Sequence, residues 1–507
     1  MKRLIIYAIA AFAGVAMLAS CDLNLVPNSA IAYEEGGVLI QTKANLNALE
    51  NGILAKFRYS LRGDNGRHIN SQEYQFDAFN ASIDYGNNYG ALHKSDYNFT
   101  SSDYDVEYMW ENNYSAIKDY NIFIAASDNV SDDLKAATAV VKGEAFLFRA
   151  WSYLTLARQF GKAYTQGNPD TDPCVPLVLV YDQNELPARA TVAQVYEQIG
   201  KDLDSAAVRL SDVKGAVRSQ KPTIDAVNAL YARYYLEKGD NANAAKYAHK
   251  VIDSGTYKLA SSAEEMAAEY INDNGSEAIM QMAITMTEFT GTALNYWTLD
   301  QSDAEHGEAF RSYFLPTKTL IESYEASDLR LAAWYCDTVA TMFAGSYYNV
   351  DKKDFYVFTK YWGNPSLTST PIRNGRNAPK PFKINELYLI AAEAELAAGD
   401  AAAAKADLNA LQAARGASAT AANVDAIRKE WFRETVGEGM RKYCLKRWGV
   451  GFDGRVPQDG ALNIVQQGDV FTGKSIAANS YIFQWPIPSH EMKINRNLEQ
   501  NPGYDGK

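Results

Sequence analysis

Two stretches of the 507-residue chain share one helix–turn–helix punctuation, and this constrains the fold more than any other feature. The first runs from Pro222, which suits an opening helical turn, through Ala226, Ala229, Leu230, Tyr234 and Leu236 to Gly239. Asp240 and Asn241 can then cap a second helix over residues 242–253, which stops at Gly255. The second pair spans 385–398, turns at Gly399-Asp400 and continues over 401–414 before Gly416. Aligned on the turn glycines, Ala232 and Ala392 precede by seven residues, and Ala244 and Ala404 follow by five. Small residues at this spacing let paired helices approach closely, as in tetratricopeptide repeats. The pattern predicts a mainly α fold built from tetratricopeptide-like helical pairs.

Further amphipathic segments predict helices near 42–59, 104–126, 140–160 and 203–210. Between 259 and 381 the periodicity breaks into short aromatic runs separated by Gly, Asn, Ser and Pro, with weak strand signals at 278–282 and 355–358. This reads as an irregular, loop-rich lobe inserted between helical pairs. Residues 62–102 have the same character, with seven aromatics among Asn-Gly, Asn-Asn and Gly turns. Long loops in a compact domain usually carry function, so a ligand site is sought in these two stretches.

The N-terminus sets the compartment. Lys2 and Arg3 precede an apolar run over 4–18, too short to span a bilayer, and Leu18-Ala19-Ser20-Cys21 closes it. This is the form of a bacterial lipoprotein signal, with an ordinary signal peptide and a chance cysteine as the alternative. The reading divides the chain into a signal peptide, 1–20, and a mature domain, 21–507, acylated at Cys21 and held on a membrane surface outside the cytoplasm. Loss of Lys2 and Arg3 moves the formal charge from −12 to −14, which does not suit a nucleic-acid partner. Cys174, Cys336 and Cys444 remain, allowing at most one disulfide, so size rather than cross-linking holds the fold.

Catalytic signatures are sparse. Gly468-Asp469-Val470-Phe471-Thr472-Gly473-Lys474-Ser475 fits the phosphate-loop pattern GxxxxGK[ST], but no β-rich run leads into it and no convincing helix follows. The histidines, His68, His93, His249, His306 and His490, make no HExxH and no i,i+4 pair, so neither zinc nor another cofactor is expected. No GxSxG elbow is present, and the three cysteines read as small hydrophobes. Carboxylate pairs such as Glu264-Glu265 and Asp132-Asp133 sit among helix formers; a glycosidase acid pair stays open, because its separation belongs to the fold.

The remaining signal is aromatic. Tyr74, Phe76, Tyr85, Tyr89 and Tyr97 interleave with Asp77, Asn80, Asn87 and Asn88, and Tyr296-Trp297 follows Asn295 in the later lobe. Sugar rings present apolar C–H faces edged by hydroxyls, so a glycan site needs flat aromatic surfaces beside amides and carboxylates. Tyr74, Asp77, Asn80, Tyr85, Asn88, Tyr89, Tyr296 and Trp297 are therefore the candidate ligand-binding residues. The competing reading packs these aromatics into a loop-rich shell.

Gly143-Glu144-Ala145, Arg149-Ala150, Tyr153 and Phe160-Gly161 resemble a pattern of the SusD/RagB outer-membrane lipoproteins of Bacteroidetes. The resemblance extends in order through Trp110, Tyr114, Ile117 and Asn121, and Ser254-Gly255-Thr256-Tyr257. It continues through Glu430, Arg433, Glu434, Gly437-Glu438-Gly439 and Arg447-Trp448-Gly449, to Pro486-Ile487-Pro488 and Gln500-Asn501-Pro502-Gly503-Tyr504. Cys444, where an acidic residue is usual, and Arg496, where proline often sits, depart from it. The resemblance implies a lipid anchor on the outer leaflet, facing the cell exterior, and a lid over a SusC-like TonB-dependent transporter. It implies capture of oligosaccharides without cleavage, with a peptide-capturing RagB-like role as the alternative. A shallow ligand face formed by 62–102 and 290–335 is expected.

Overall fold

The structure, a computed structural model, describes residues 39–62, 76–84, 97, 100–182, 184–287, 297–303, 307–312, 314–338, 340–343, 346–349, 353–369 and 375–504; over 297–311 and at 342 and 347 it describes the backbone alone. Helix α1 (Lys43–Arg62) and strand β1 (Phe79–Ala81) precede α2 (Tyr104–Ala126), α3 (Lys135–Phe160), α4 (Val192–Arg209), α5 (Ile224–Lys238) and α6 (Asn241–Ile252). The lobe follows with α7 (Ala263–Ile271), β2 (Ala278–Met280), β3 (Trp297–Asp303), β4 (Gly307–Ser312), β5 (Phe314–Pro316), α8 (Lys318–Ile321) and α9 (Leu329–Trp334). It ends with β6 (Tyr335–Cys336), β7 (Ala340–Phe343), β8 (Ser346–Tyr348) and β9 (Val357–Phe358). Then come β10 (Phe382–Lys383), α10 (Ile384–Ala398), α11 (Ala401–Ala414), α12 (Val424–Glu434), α13 (Arg441–Trp448) and α14 (Ser489–Ile494).

Both predicted helical pairs form, and they stack on one another, because α10 packs against α6 as well as α11. The turn glycines do what only glycine does cheaply: Gly239 and Gly399 end their helices in the left-handed region, at φ 74° and 91°. Asp240 and Asp400 then cap the returning helices by accepting from the Asn243 and Ala403 amides. Ala232, Ala244, Ala392 and Ala404 are each 0% exposed, as close helix approach requires. The first pair starts later than Pro222, because Thr223 is the cap, its hydroxyl accepting from the Ala226 amide. Asn241 is the first residue of α6 rather than a cap. The segment at 203–210 is the tail of a longer α4, opened by a capping box between Thr191 and Gln194.

Buried ion pairs fasten the helices. Arg149 grips Asp202 bidentately at 2.8 and 2.6 Å, joining α3 to α4, and Arg233 grips Glu386 at 2.8 and 2.6 Å, joining α5 to α10. Such pairs are fixed points because losing one partner strands a charge out of water, at about 3–5 kcal/mol. The largest apolar cluster runs from Ile40 on the approach to α1 to Tyr504 in the tail, through every helix from α1 to α6 and α10 to α12.

The lobe holds more strand than its pattern suggests: β3, β4, β7 and β8 form a four-stranded sheet, and β1–β5, β2–β10 and β6–β9 are two-stranded. The weak signals at 278–282 and 355–358 become β2 and β9. The sheet was hidden because Trp297–Asp303 reads as WTLDQSD, whose apolar alternation stops after Leu299. Residues 469–473 of the phosphate-loop match form one wide helical turn, with no strand before it; Phe452 and Ile476 bridge around it. Its context is not that of a nucleotide site.

Candidate ligand-binding site

The two aromatic stretches named by the sequence meet. β1 pairs antiparallel with β5, placing Phe79 opposite Pro316, Asn80 opposite Leu315 and Ala81 opposite Phe314. Around this ladder the Thr317 hydroxyl donates to the Asp77 carbonyl at 2.8 Å, and the Thr317 amide to the Ala78 carbonyl at 2.9 Å. The C-terminal region closes the other side, where the Ile83 amide donates to the Ile464 carbonyl at 2.8 Å and Ser82 bridges Val465. Stretches more than two hundred residues apart thus share one small sheet.

Two candidates are described with their side chains, and neither is a loose surface group. Asp77 receives Arg441 from α13 bidentately, at 2.7 and 2.5 Å, with both side chains 14% exposed. The Arg441 guanidinium also lies 4.4 Å from the Phe432 ring centre. Asn80 corrects the sequence reading: it is 1% exposed and donates to the Arg455 carbonyl at 2.6 Å. The asparagine brackets a strand pair to the C-terminal region, where it cannot meet solvent-borne hydroxyls. Tyr74, Tyr85, Asn88, Tyr89 and Tyr296 lie outside the described residues, as does Cys21. Trp297 opens β3 opposite Ser312 on β4; its side chain lies outside the described residues.

Phe76 and Tyr97, read above with the aromatic run, are packing residues. Phe76 is 0% exposed against Phe452 and Phe483, at 5.9 and 5.6 Å between ring centres. Tyr97 is buried, and burial pushes its phenol up to about 12 despite the pull of Arg455.

The residues that carried the family pattern hold the frame. Arg330 sits among Asp328, Glu430 and Glu434 at 2.7, 2.6 and 2.9 Å, and Arg415 joins Glu434 to Glu277 at 2.6 and 2.7 Å. Beside them Glu438 accepts from Lys360 at 2.7 Å, from Tyr270 at 2.8 Å, and from Lys383. Cys174, Cys336 and Cys444 are free, and burial raises the thiols of Cys174 and Cys444 to about 12. Those two thiols stay protonated and unreactive. No helix of the described residues is long and apolar enough to cross a membrane.

Residues 228–504 match the profile of the SusD family, and 39–236 match a profile described as starch-binding and associating with the outer membrane. The chain belongs to the SusD family. It is 25% identical over 456 residues, 76% of each chain, to the starch-binding protein SusD of Bacteroides thetaiotaomicron. The fold matches a SusD superfamily protein of the same organism with a TM-score of 0.73 and 23% identity, over 90% of this chain and 99% of that one. It matches a laminarin-binding SusD-like protein with a TM-score of 0.71 and 22% identity, over 92% of this chain and all of that one. The family match, the starch-binding profile over 39–236 and the starch-binding relative together support a carbohydrate-binding protein associated with the outer membrane.

Proposed function

We propose that this SusD-family protein is a lipid-anchored receptor on the cell exterior that captures oligosaccharides and passes them, uncleaved, to a SusC-like TonB-dependent transporter. In this reading residues 1–20 are the signal peptide and 21–507 the working domain, tethered through Cys21. The observation that carries it is the β1–β5 pairing, which joins the two aromatic-bearing stretches of the sequence in one small sheet. Tyr74, Tyr85, Asn88, Tyr89, Tyr296 and Trp297 flank that junction in sequence, with Asp77 tying it to α13. A shallow aromatic face edged by amides suits a sugar chain, whose ring faces stack while its hydroxyls need partners. The starch-binding and laminarin-binding relatives make α- and β-glucans the first ligands to try.

The test is affinity electrophoresis of the soluble 22–507 form against polysaccharides, followed by calorimetry on the best ligand. Trp297→Ala should weaken binding at least tenfold, about 1.4 kcal/mol, and Tyr89→Ala by a similar or smaller factor, with melting unchanged. Trp151→Ala is the packing control. It removes a ring set edge-on to Phe57 and Phe382 at 5.7 and 5.1 Å, under Arg233, and should lower stability instead. Wild-type affinity in both Trp297→Ala and Tyr89→Ala would move the site elsewhere, retention of peptides but no glycan would favour the RagB-like role, and glycan shortening would mean catalysis.

A further inference from the structure

Stacking the two helical pairs brings together three groups that the sequence keeps apart. His249 lies on α6, Glu395 on α10 and Asp407 on α11, with 146 residues between the first two. His249 Nε2 stands 2.8 Å from Glu395 Oε1 and 3.1 Å from Asp407 Oδ2. One donor atom from each of the three lies within 4.8 Å of the others. Tetrahedral zinc, with bonds of about 2.0–2.2 Å, holds its ligand atoms roughly 3.3 Å apart, so the trio need open only slightly to accept it.

Two further observations point to a cation. Glu395 is 8% exposed, its Oε2 accepts from no N–H of the described residues, and its carboxyl lies against that of Asp407 as well as the His249 ring. Buried carboxylate oxygens are rarely left without a donor. On the far side of the imidazole, Asp253 Oδ1 lies 3.5 Å from His249 Nδ1. That carboxylate is 73% exposed and adds negative charge near the ring at ion-pair distance. A hydrogen-bonded histidinium is the competing account of the cluster. It balances one carboxylate and leaves the other, with Asp253 adding a third negative group.

We propose that His249, Glu395 and Asp407 bind one divalent transition metal, zinc first, leaving a coordination position open on the side where His249 is 32% exposed. The imidazole selects against calcium and magnesium, which take shells of oxygen. Bound there, the metal pins α6 to α10 and α11, clamping the repeat stack.

The mature chain, stripped with chelator, is titrated with cobalt as a spectroscopic stand-in for zinc. One equivalent should produce the visible absorption of a tetrahedral site, zinc should abolish it, and zinc but not magnesium should raise the melting temperature. His249→Gln and Asp407→Asn, both near-isosteric, should each weaken cobalt binding by at least about tenfold. A wild-type protein with no saturable cobalt band overturns the proposal, whatever the variants do. So does a band of unchanged affinity in both variants, or in the one that folds. Equal protection by magnesium would also overturn it. Glycan binding is read in parallel and should be unaffected by Asp407→Asn, so this site and the glycan face fail or stand separately.

Discussion

Glu438→Gln tests how the lobe is held to the helical stack. Glu438 stands between Gly437 and Gly439, both left-handed at φ 75° and 74°, and its carboxylate meets Lys360, Lys383 and Tyr270. The two lysine side chains are 0% and 6% exposed, so water cannot replace the carboxylate. Burial alone would raise the Glu438 pKa, but the charges of Lys360 and Lys383 overcome it and hold the carboxyl at about 2, against an ordinary 4.5. A carboxyl moved that far contributes about 3 kcal/mol, at about 1.4 kcal/mol per pH unit. The amide substitute also strands two buried ammonium groups, the situation that costs about 3–5 kcal/mol. Because the folded pKa lies below the unfolded one, this stability is fully present above pH 4.5 and lost as pH falls through about 2. Urea unfolding should therefore show Glu438→Gln destabilised by about 3–5 kcal/mol at pH 7, with the gap to wild type closing below pH 4.5. Burial already lowers Lys360 to about 8, against the pull of Glu438. Without that pull the Lys360 ammonium falls lower still, so the variant should recover part of its loss as pH rises toward 8, where its amine sheds a proton that the wild-type one keeps. A deficit under about 1 kcal/mol at pH 7, or one that does not narrow in acid, would mean that the cluster does not clamp the lobe.

Ala232→Leu should overpack the closest approach of α5 and lower stability by about 1–3 kcal/mol before glycan affinity changes; an unchanged unfolding midpoint would count against the packing described. Cys21→Ala should leave the protein in the soluble fraction of cells lacking the transporter, and continued sedimentation with outer membranes would remove the lipid anchor from the proposal. Lys442 is 0% exposed, its ammonium lacks a hydrogen-bond partner among the described residues, and it lies 4.7 Å from the Trp485 ring centre. Burial, aided by Lys446, drives its pKa well below 10.5, a penalty present at neutral pH that fades as pH rises to 10.5. Lys442→Met should thus stabilise by at least about 1 kcal/mol at pH 7 and less at pH 10; destabilisation at pH 7 would contradict that charge balance.

The helical half was legible because its constraints are local. A turn glycine at positive φ, an aspartate cap and alanines seven and five residues away are all set by contacts within one hairpin. The family pattern was legible for a related reason. Gly143 brings the Cβ of Arg209 within 2.8 Å of where its own side chain would stand, and a Cβ on Gly437 would meet Phe358 at 2.8 Å. Glu434 touches Arg330, Arg415 and Asn385 at once. Few substitutions survive such positions. The lobe was harder, since β2 pairs with β10 and β5 with β1 far away in the chain, and the local pairs β3–β4 and β7–β8 are short and carry little alternation that announces them. Asn80 shows the limit of composition. An asparagine among tyrosines is the right chemistry for sugar hydroxyls, yet this one is spent on the Arg455 carbonyl.

Scaffold and site therefore draw on different parts of the chain. The buried charges join lobe to stack through Arg330 and Arg415, whose partners Glu430 and Glu434 lie on α12. Asp77 and Asn80 join β1 and its approach to the C-terminal region through Arg441 and Arg455. The aromatics proposed to meet a ligand are not among these clamping residues. At a shallow face, where few other apolar contacts exist, a stacking ring would carry much of the binding. A family built this way can keep its fold at 25% identity or less while its sugar changes, because the residues that define the fold are not those a ligand would meet.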